Sequence, residues 1–263
     1  MNFEWTERSI RLYREASAYT GFHENLSAMA APYLDASWSL ADFGCGPGLL
    51  DLHLASMVAK VTAIDSEEAA IENLRAEIRR ATEIPGGHTA VPVAQEQATG
   101  TAVCPPGISV ARRDAAGRIE PVLRDLCELS ADEKWDAVVM SFVGMDARLL
   151  DDLVGRARKR ALLFFRHRSF DPDAPEVLGA PETERHLTAQ GYSFTKTVTE
   201  LEFGQPFRSL PDAEDWIADL AKRKEAKARK AREALVDTGR SDFPYFIPKT
   251  VKVTFFAVAP KEL

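Results

Sequence analysis

Three glycines fall within seven residues in the stretch DFGCGPG at 42–48. It ends an apolar run, WSLADFG at 38–44, and predicts a buried strand that turns sharply, because glycine tolerates positive φ. LLDLHLASMVA at 49–59 has apolar residues at helical spacing, and KVTAID at 60–65 is a β-branched run. A strand, a glycine turn, a helix and a second strand predict one parallel sheet, since parallel strands need a crossover connection.

The same alternation continues along most of the chain. An amphipathic helix is predicted at 66–84, where Ser66 can cap the first turn. Further strands are predicted at 119–126, 135–144, 160–167, 192–203 and 251–260, and further helices at 6–30, 149–159, 182–191 and 211–237. Strands that alternate with helices indicate an α/β fold.

Residues 85–118 interrupt this pattern, because they are rich in Gly, Pro, Ala and Thr. A segment of this length without regular structure is unusual inside a compact domain. Three interpretations stay open: a loop that covers a substrate, a small added hairpin, or a disordered insertion.

The balance of charge argues against a general nucleic-acid binder. Forty acidic residues exceed 33 basic ones, and the net charge is -7. The basic run KRKEAKARKAR at 222–232 is interpreted as the solvated face of a helix, with a polyanion site as the alternative. The three cysteines lack C-x-x-C spacing, which disfavours a disulfide framework or a Cys-rich zinc site. No apolar run is long enough to span a membrane, and the N-terminus has no apolar segment of a secretory signal. Together with the cysteine spacing, which fits a reducing compartment, this leads us to expect a cytoplasmic protein without a metal site.

The position of one carboxylate narrows the choice of ligand. Asp65 ends the second strand, 19 residues after Gly46, where it can accept hydrogen bonds from the ribose hydroxyls of a nucleoside. Dinucleotide folds use G-x-G-x-x-G, but Leu49 stands where the third glycine would be. The order here is G-x-G-x-G, preceded by the acidic Asp42, and this disfavours a nicotinamide dehydrogenase.

These residues resemble those of the class I, seven-stranded S-adenosylmethionine-dependent methyltransferases. ADFGCGPGLLDLHLA resembles the first motif of that family and VTAIDSEEAAIENL the second, while RDL at 124–126 and WDAVVMSFVG at 135–144 are similar to later motifs. The resemblance implies a doubly wound, mostly parallel seven-stranded sheet with helices on both faces, an antiparallel last strand and an N-terminal helical addition.

The resemblance also implies a role for each motif. The glycine loop would contact the methionine end of S-adenosylmethionine, the second motif its ribose, the third its adenine, and the end of the fourth strand its sulfonium and the acceptor. The implied cofactor-binding residues, in that order, are Gly44, Cys45, Gly46 and Gly48; Asp65 and Ser66; Asp125 and Leu126; Ser141 and Phe142.

Other candidates lie outside the motifs. His167 follows the fifth predicted strand, and strand carboxyl ends face the ligand crevice of such sheets, so it is a candidate acceptor-site base or an exposed loop residue. Tyr19 is a candidate cofactor-binding residue that, with His23, would cover the sulfonium, and the alternative is that both pack the helix onto the sheet.

We therefore expect one methyltransferase domain over 1–263, with an N-terminal helical cap at 1–30, the insertion at 85–118 and a helical addition at 204–240 that shapes the acceptor site with the cap. The expected function is methyl transfer from S-adenosylmethionine to a small or medium-sized molecule, with S-adenosylhomocysteine as product. One alternative is a tRNA or rRNA methyltransferase, disfavoured because SFVG at 141–144 replaces an Asn/Asp-Pro-Pro-aromatic tetrad. Another is a non-catalytic protein that binds the same cofactor.

Overall fold

The computed structural model describes residues 5–83, 115–166 and 177–261. The strands in this part are β1 Ser39–Phe43, β2 Lys60–Asp65, β3 Ile119–Leu123, β4 Trp135–Ser141, β5 Ala157–Arg166, β6 Phe194–Glu202, β7 Gln205–Phe207, β8 Val236–Asp237, β9 Tyr245–Ile247 and β10 Thr250–Val258. The helices are α1 Glu7–Thr20, α2 Phe22–Ala30, α3 Asp51–Leu54, α4 Glu68–Glu83, α5 Ala147–Gly155, α6 Ala180–Ala189, α7 Leu210–Arg223 and α8 Glu225–Glu233.

Seven strands form one sheet in the order β3-β2-β1-β4-β5-β10-β6. The pairs that join β3, β2, β1, β4 and β5 are all parallel. The last strand, β10, lies between β5 and β6 and is antiparallel to both. The predicted doubly wound sheet with an antiparallel last strand is confirmed. Along the chain, β2 and β3 are added on one side of β1, and β4 and β5 on the other. The connections after β1 and β4 therefore lead to opposite sides, and open α/β sheets bind ligands at such a switch point.

Both faces of the sheet are covered by helices. Alternate residues of the central strands enter two separate apolar clusters, as period-2 side-chain alternation requires. Phe22 and Leu26 of α2 are fully buried in one cluster, whereas Leu150 and Leu153 of α5 lie in the other. The helix α2 therefore packs directly against the sheet.

Several predicted elements are shorter or broken. The helix predicted at 6–30 is two helices, because Gly21 adopts a left-handed conformation with φ of 65° between them. Only Asp51–Leu54 of the helix predicted at 49–59 is α-helical. The strand predicted at 119–126 ends at Leu123, after which Asp125 begins a 3₁₀ turn.

The single helix predicted at 211–237 is also wrong. It divides into α7 and α8 at Lys224, whose extended φ of -153° interrupts the helix. A second sheet, β7-β9-β8, flanks these helices and is absent from the sequence prediction. Its strands have two or three residues each, too few for a readable alternation.

Most of the insertion predicted at 85–118 lies outside the described residues, as does His167. Within the described ranges, every helix is too short or too polar to cross a membrane.

Candidate functional site

The glycine loop at 44–48 joins the carboxyl ends of β1 and β2. The amides of Gly44 and Cys45 donate to the carbonyl of Ile64 at 2.8 and 3.1 Å, and the amide of Gly46 donates to Oδ2 of Asp65 at 2.7 Å. These hydrogen bonds therefore hold the loop after β1 against the end of the neighbouring strand β2, at the edge of the sheet where the parallel strands end. This brings together the predicted loop residues and the predicted ribose carboxylate.

All three glycines of the loop have positive φ, between 55° and 75°. A Cβ on Gly44 would lie 2.5 Å from the Val143 side chain, and a Cβ on Gly48 would lie 2.4 Å from Leu74. Glycine is required at both positions for conformation and for space, because real Cβ atoms do not approach so closely. The missing side chains therefore make room for Val143 and Leu74, which pack closely against the loop.

Asp65 is buried and organises the start of α4 as well as the loop. Its Oδ1 accepts a hydrogen bond from the amide of Glu67 at 2.9 Å. Each carboxylate oxygen has a further lone pair, so Asp65 retains acceptor capacity toward a ligand. Ser66 is exposed and lies two residues before the helix. The carbonyl of Glu67 accepts the first hydrogen bonds of the helix, so the cap is Glu67, one residue after the predicted Ser66.

A pair of buried carboxyl groups lies beneath the loop. Asp42 on β1 is 1% exposed, and Asp51 at the start of α3 is 0% exposed. Oδ1 of Asp42 and both carboxyl oxygens of Asp51 have no hydrogen-bond donor among the described residues. Burial raises the pKa of Asp51 to about 7, and burial together with the charge of Asp51 raises the pKa of Asp42 well above its usual value. Two such groups share a proton more readily than they ionise together.

Aromatic side chains cover the loop at Gly46. Ring atoms of Trp5 come within 3.0–3.5 Å of a Cβ built on Gly46, so this glycine also makes room for a neighbour. Tyr13 on α1 packs edge-on against Trp5, with ring centroids 5.2 Å apart. The sequence offers no signal for Trp5, because its contact with the loop spans about forty residues of chain, far beyond any local pattern.

Tyr13 is held by a buried histidine. Its hydroxyl is 3.0 Å from Nε2 of His23, whose Nδ1 is 2.6 Å from the hydroxyl of Ser17. Burial lowers the pKa of His23 to about 3 and raises that of Tyr13 to about 12. Both groups are therefore neutral near pH 7, and His23 donates through one ring nitrogen and accepts through the other.

The end of β4 completes the site. Phe142 has an unusual positive φ of 60°, and its amide donates to the carbonyl of Phe164 at 2.9 Å. Its ring stacks on Phe22 at 5.8 Å, and the guanidinium of Arg166 lies 5.2 Å from its centroid. A left-handed conformation at a bulky residue costs about 1–3 kcal/mol and concentrates at functional sites. Ser141, half-buried, precedes it.

Asp125 and Leu126 lie on the far side of Asp65. Asp65 pairs with Leu123 in the sheet, and the amide of Arg124 donates to the carbonyl of Asp65 at 2.9 Å. Asp125 then caps a 3₁₀ turn by accepting from the amide of Cys127 at 2.8 Å. Its side chain is exposed at the same sheet edge as the glycine loop.

Tyr19 lies in a different neighbourhood. Its ring contacts Phe246 of the small sheet at 4.7 Å and Phe243 at 5.8 Å, and Arg240 lies over it at 5.0 Å. These contacts direct Tyr19 toward the second sheet, while Tyr13, one and a half turns earlier, contacts the cover of the glycine loop. Among the residues that the structure describes, no three His, Cys, Asp or Glu side chains converge to hold a metal ion.

Comparison with solved structures identifies the fold. YcgJ protein from Bacillus subtilis matches with a TM-score of 0.53 and 10% identity, over 92% of this chain and 100% of its own. The N-methyltransferase NodS from Bradyrhizobium japonicum, solved in complex with S-adenosylhomocysteine, matches with a TM-score of 0.51 and 12% identity, over 92% of this chain and 87% of its own. No protein-family model and no curated protein matches the sequence. The chain therefore has the fold of class I S-adenosylmethionine-dependent methyltransferases, as the sequence predicts.

Proposed function

We propose that this protein transfers a methyl group from S-adenosylmethionine to a small or medium-sized molecule. The observation that carries the proposal is the glycine loop, whose Gly46 amide is bound to Asp65 at the switch point of the sheet. NodS, with the same fold, was solved with S-adenosylhomocysteine.

The described residues suit each part of this cofactor. The glycine loop would face the methionine portion, Asp65 would accept from the ribose, and Asp125 with Leu126 would flank the adenine. The buried carboxyl groups of Asp42 and Asp51 lie next to the loop and share a proton, so together they would offer at most one negative charge to an ammonium group. The cofactor supplies an electrophilic methyl group on a sulfonium, and the sulfur keeps the bonding electron pair as a neutral thioether after transfer.

The protein's own residues would mainly position the acceptor and the cofactor and exclude water from between them. Holding the acceptor and the methyl group in line converts a bimolecular reaction into an effectively unimolecular one. This positioning accounts for much of the rate enhancement of such a reaction. Trp5, Tyr13 and Phe142 provide apolar walls near the loop and the end of β4. An acceptor that must lose its proton also needs a base, and His167 stays a prediction for that role.

Calorimetric titration with S-adenosylmethionine and S-adenosylhomocysteine tests the proposal. We expect Asp65→Ala to weaken binding by about 1–3 kcal/mol, the range for hydrogen bonds to a charged group. Asp136→Ala is the matched control, because Asp136 also accepts from a backbone amide, that of Ser39 at 2.9 Å, at the opposite end of β1. It should leave the affinity unchanged.

Two outcomes would contradict the assignment. Equal affinity in the wild type and Asp65→Ala would remove Asp65 from the site. Tighter binding of NAD than of S-adenosylmethionine would assign the glycine loop to another cofactor. Transfer of labelled methyl into candidate acceptors separates an enzyme from a protein that only binds the cofactor.

A further inference from the structure

The seven-stranded sheet has two edge strands, and they differ in how well they are protected against pairing. The strand β3 is short and carries Pro121, whose nitrogen cannot donate a hydrogen bond to a further strand. The other edge strand, β6, runs for nine residues without proline or glycine. All of β6 pairs with β10 in an unbroken antiparallel register, and within the described part of the chain no strand pairs with its outer side.

The outer side of β6 is accessible from both faces of the sheet. Thr197 and Val198 point to opposite faces, because side chains alternate along a strand, and both are exposed. Val198 is 46% exposed, which is unusual for a large apolar side chain. The described helices therefore do not extend over the middle of this strand, and the amide and carbonyl groups on its outer side form a template for another strand.

We propose that β6 is a dimer interface, where it pairs antiparallel with β6 of a second copy of this chain across a two-fold axis at Val198. The two sheets then join into one continuous sheet. This inference does not rest on the proposed function, because β4, β5 and β10 lie between this edge and the glycine loop.

The residues of β6 are complementary to themselves in this pairing. Lys196 lies opposite Glu200 of the second copy, and the symmetry forms this pair twice. Thr197 lies opposite Thr199 of the second copy, and the two copies of Val198 face each other at the axis. Oppositely charged, threonine and β-branched pairs stabilise antiparallel strands, and like charges oppose each other nowhere along this one.

Neighbouring two-fold registers lack this complementarity. An axis at Thr199 places Val198 opposite the carboxylate of Glu200. An axis at Lys196 or at Glu200 places two like charges directly opposite each other, which is destabilising. The sequence of the strand therefore favours the register about Val198.

Contacts within each chain fit the same arrangement. The ammonium of Lys196 lies 2.5 Å from a carboxylate oxygen of Glu184 on α6, and it keeps this ion pair in the dimer because an ammonium has three donors. Glu200 lies opposite Lys252 of β10 in the sheet. Across the interface the charges then alternate in sign, from Glu184 and Lys196 of one copy to Glu200 and Lys252 of the other. This alternation is the charge complementarity that favours a second copy of this chain as the partner.

Sedimentation velocity and light scattering over a series of protein concentrations test the inference. We expect the full chain to associate into a species of twice its own mass and no larger, because a two-fold pairing uses the β6 edge of both copies.

Charge reversal tests the register. Glu200→Lys places like charges opposite each other and should raise the dissociation constant of the dimer about tenfold or more. Addition of Lys196→Glu to this variant restores opposite charges and should return the dissociation constant to near that of the wild type. The new repulsions with Glu184 and Lys252 exist in the free chain as well as in the dimer, so they largely cancel. Glu120→Lys, the same change at an exposed position of β3, is the matched control and should have no effect.

Val198→Asp provides a variant that leaves the ion pair of Lys196 with Glu184 intact. It places two carboxylates opposite each other at the axis, so it should also weaken the dimer about tenfold or more. Urea denaturation of every variant checks that the fold is retained.

Each remaining outcome contradicts a stated part of the inference. A wild-type chain that stays monomeric, or that forms species larger than a dimer, would overturn the two-fold interface. A dimer that persists unchanged in Glu200→Lys and Val198→Asp would assign association to another surface. A double variant that dissociates as readily as Glu200→Lys would overturn the register about Val198. Cofactor affinity is a separate measurement, so failure of the proposed function would be recognised independently.

Discussion

Asp51 shows how strongly a single buried residue departs from its behaviour in water. Its carboxyl group is fully buried next to Asp42, and neither has a basic partner in the described hydrogen bonds. Because burial raises the pKa of Asp51 to about 7, the folded protein holds a proton that the unfolded chain releases.

The consequence for stability has a definite sign. A carboxyl group whose folded pKa is raised stabilises the fold below its unfolded pKa, near 4, and this stability is lost as pH rises toward 7. We expect Asp51→Asn to reduce the fall in unfolding free energy over this interval by up to about 1.4 kcal/mol per pH unit, the value for one proton. Urea denaturation from about pH 5 to about pH 8 measures the slope.

Asp136→Asn is the control for this experiment. Hydrogen bonds from Ser39 lower the pKa of Asp136, so its contribution to stability is lost only at more acidic pH. That variant should shift the whole curve without changing its slope over the measured interval. A slope in Asp51→Asn equal to that of the wild type would show that the pair does not bind the extra proton.

At the scale of elements, one arginine in the connection between β4 and β5 holds the segment between β3 and β4 in place. Arg156 is buried, and its guanidinium donates to the carbonyls of Leu129 at 3.1 Å and Ser130 at 2.6 Å while it pairs with Asp152 at 3.0 Å. This anchors the segment that carries the predicted adenine residues. Charged hydrogen bonds to backbone in a buried setting are among the stronger ones.

We therefore expect Arg156→Met to lower the free energy of unfolding by about 3 kcal/mol and to speed amide exchange at Cys127 and Glu128. Arg158→Met, at an exposed position two residues later on β5, should change stability by no more than about 0.5 kcal/mol. Similar costs for the two variants would mean that Arg156 does not anchor this segment. Hydrogen exchange with urea denaturation decides between them.

At the scale of the whole molecule, the balance of charge disfavours a nucleic-acid partner. The net charge is -7, and the basic run extends from the end of α7 through the break at Lys224 into α8. Ala228 and Ala231 of α8 are buried, whereas Lys224 and Arg229 are exposed. A helix with this burial pattern packs through its small residues and exposes its charged face to solvent. No aromatic residue lies between Trp216 and Phe243 on which a nucleic-acid base could stack.

We accordingly expect no saturable binding of tRNA or duplex DNA at micromolar protein. Gel-shift titrations at about 50 and 200 mM salt test this, since phosphate contacts give a steep salt dependence. Saturable, salt-sensitive binding that is lost in the double variant Lys224→Glu, Arg229→Glu would favour a nucleic-acid acceptor instead.

The sequence determined the central part of the sheet and the edge where the site lies. The glycine loop, Asp65 and the strands around them are readable because strand alternation, turn residues and loop spacing are local patterns. The antiparallel last strand followed from the resemblance to a family rather than from any local signal. Short strands such as β7 and β8 escaped prediction because two or three residues carry no periodicity.

Only the tertiary structure decided what surrounds the glycine loop. Trp5 lies over Gly46, and Tyr19 contacts Phe246 of the second sheet; these contacts join residues far apart in sequence or on elements that were not predicted. The burial that raises the pKa of Asp42 and Asp51 also depends on the surrounding fold. The sequence likewise does not predict the break at Lys224, because the residues around it are strong helix formers. Such contacts arise from packing between elements, and packing depends on the positions of whole helices and strands, which no short window of sequence contains.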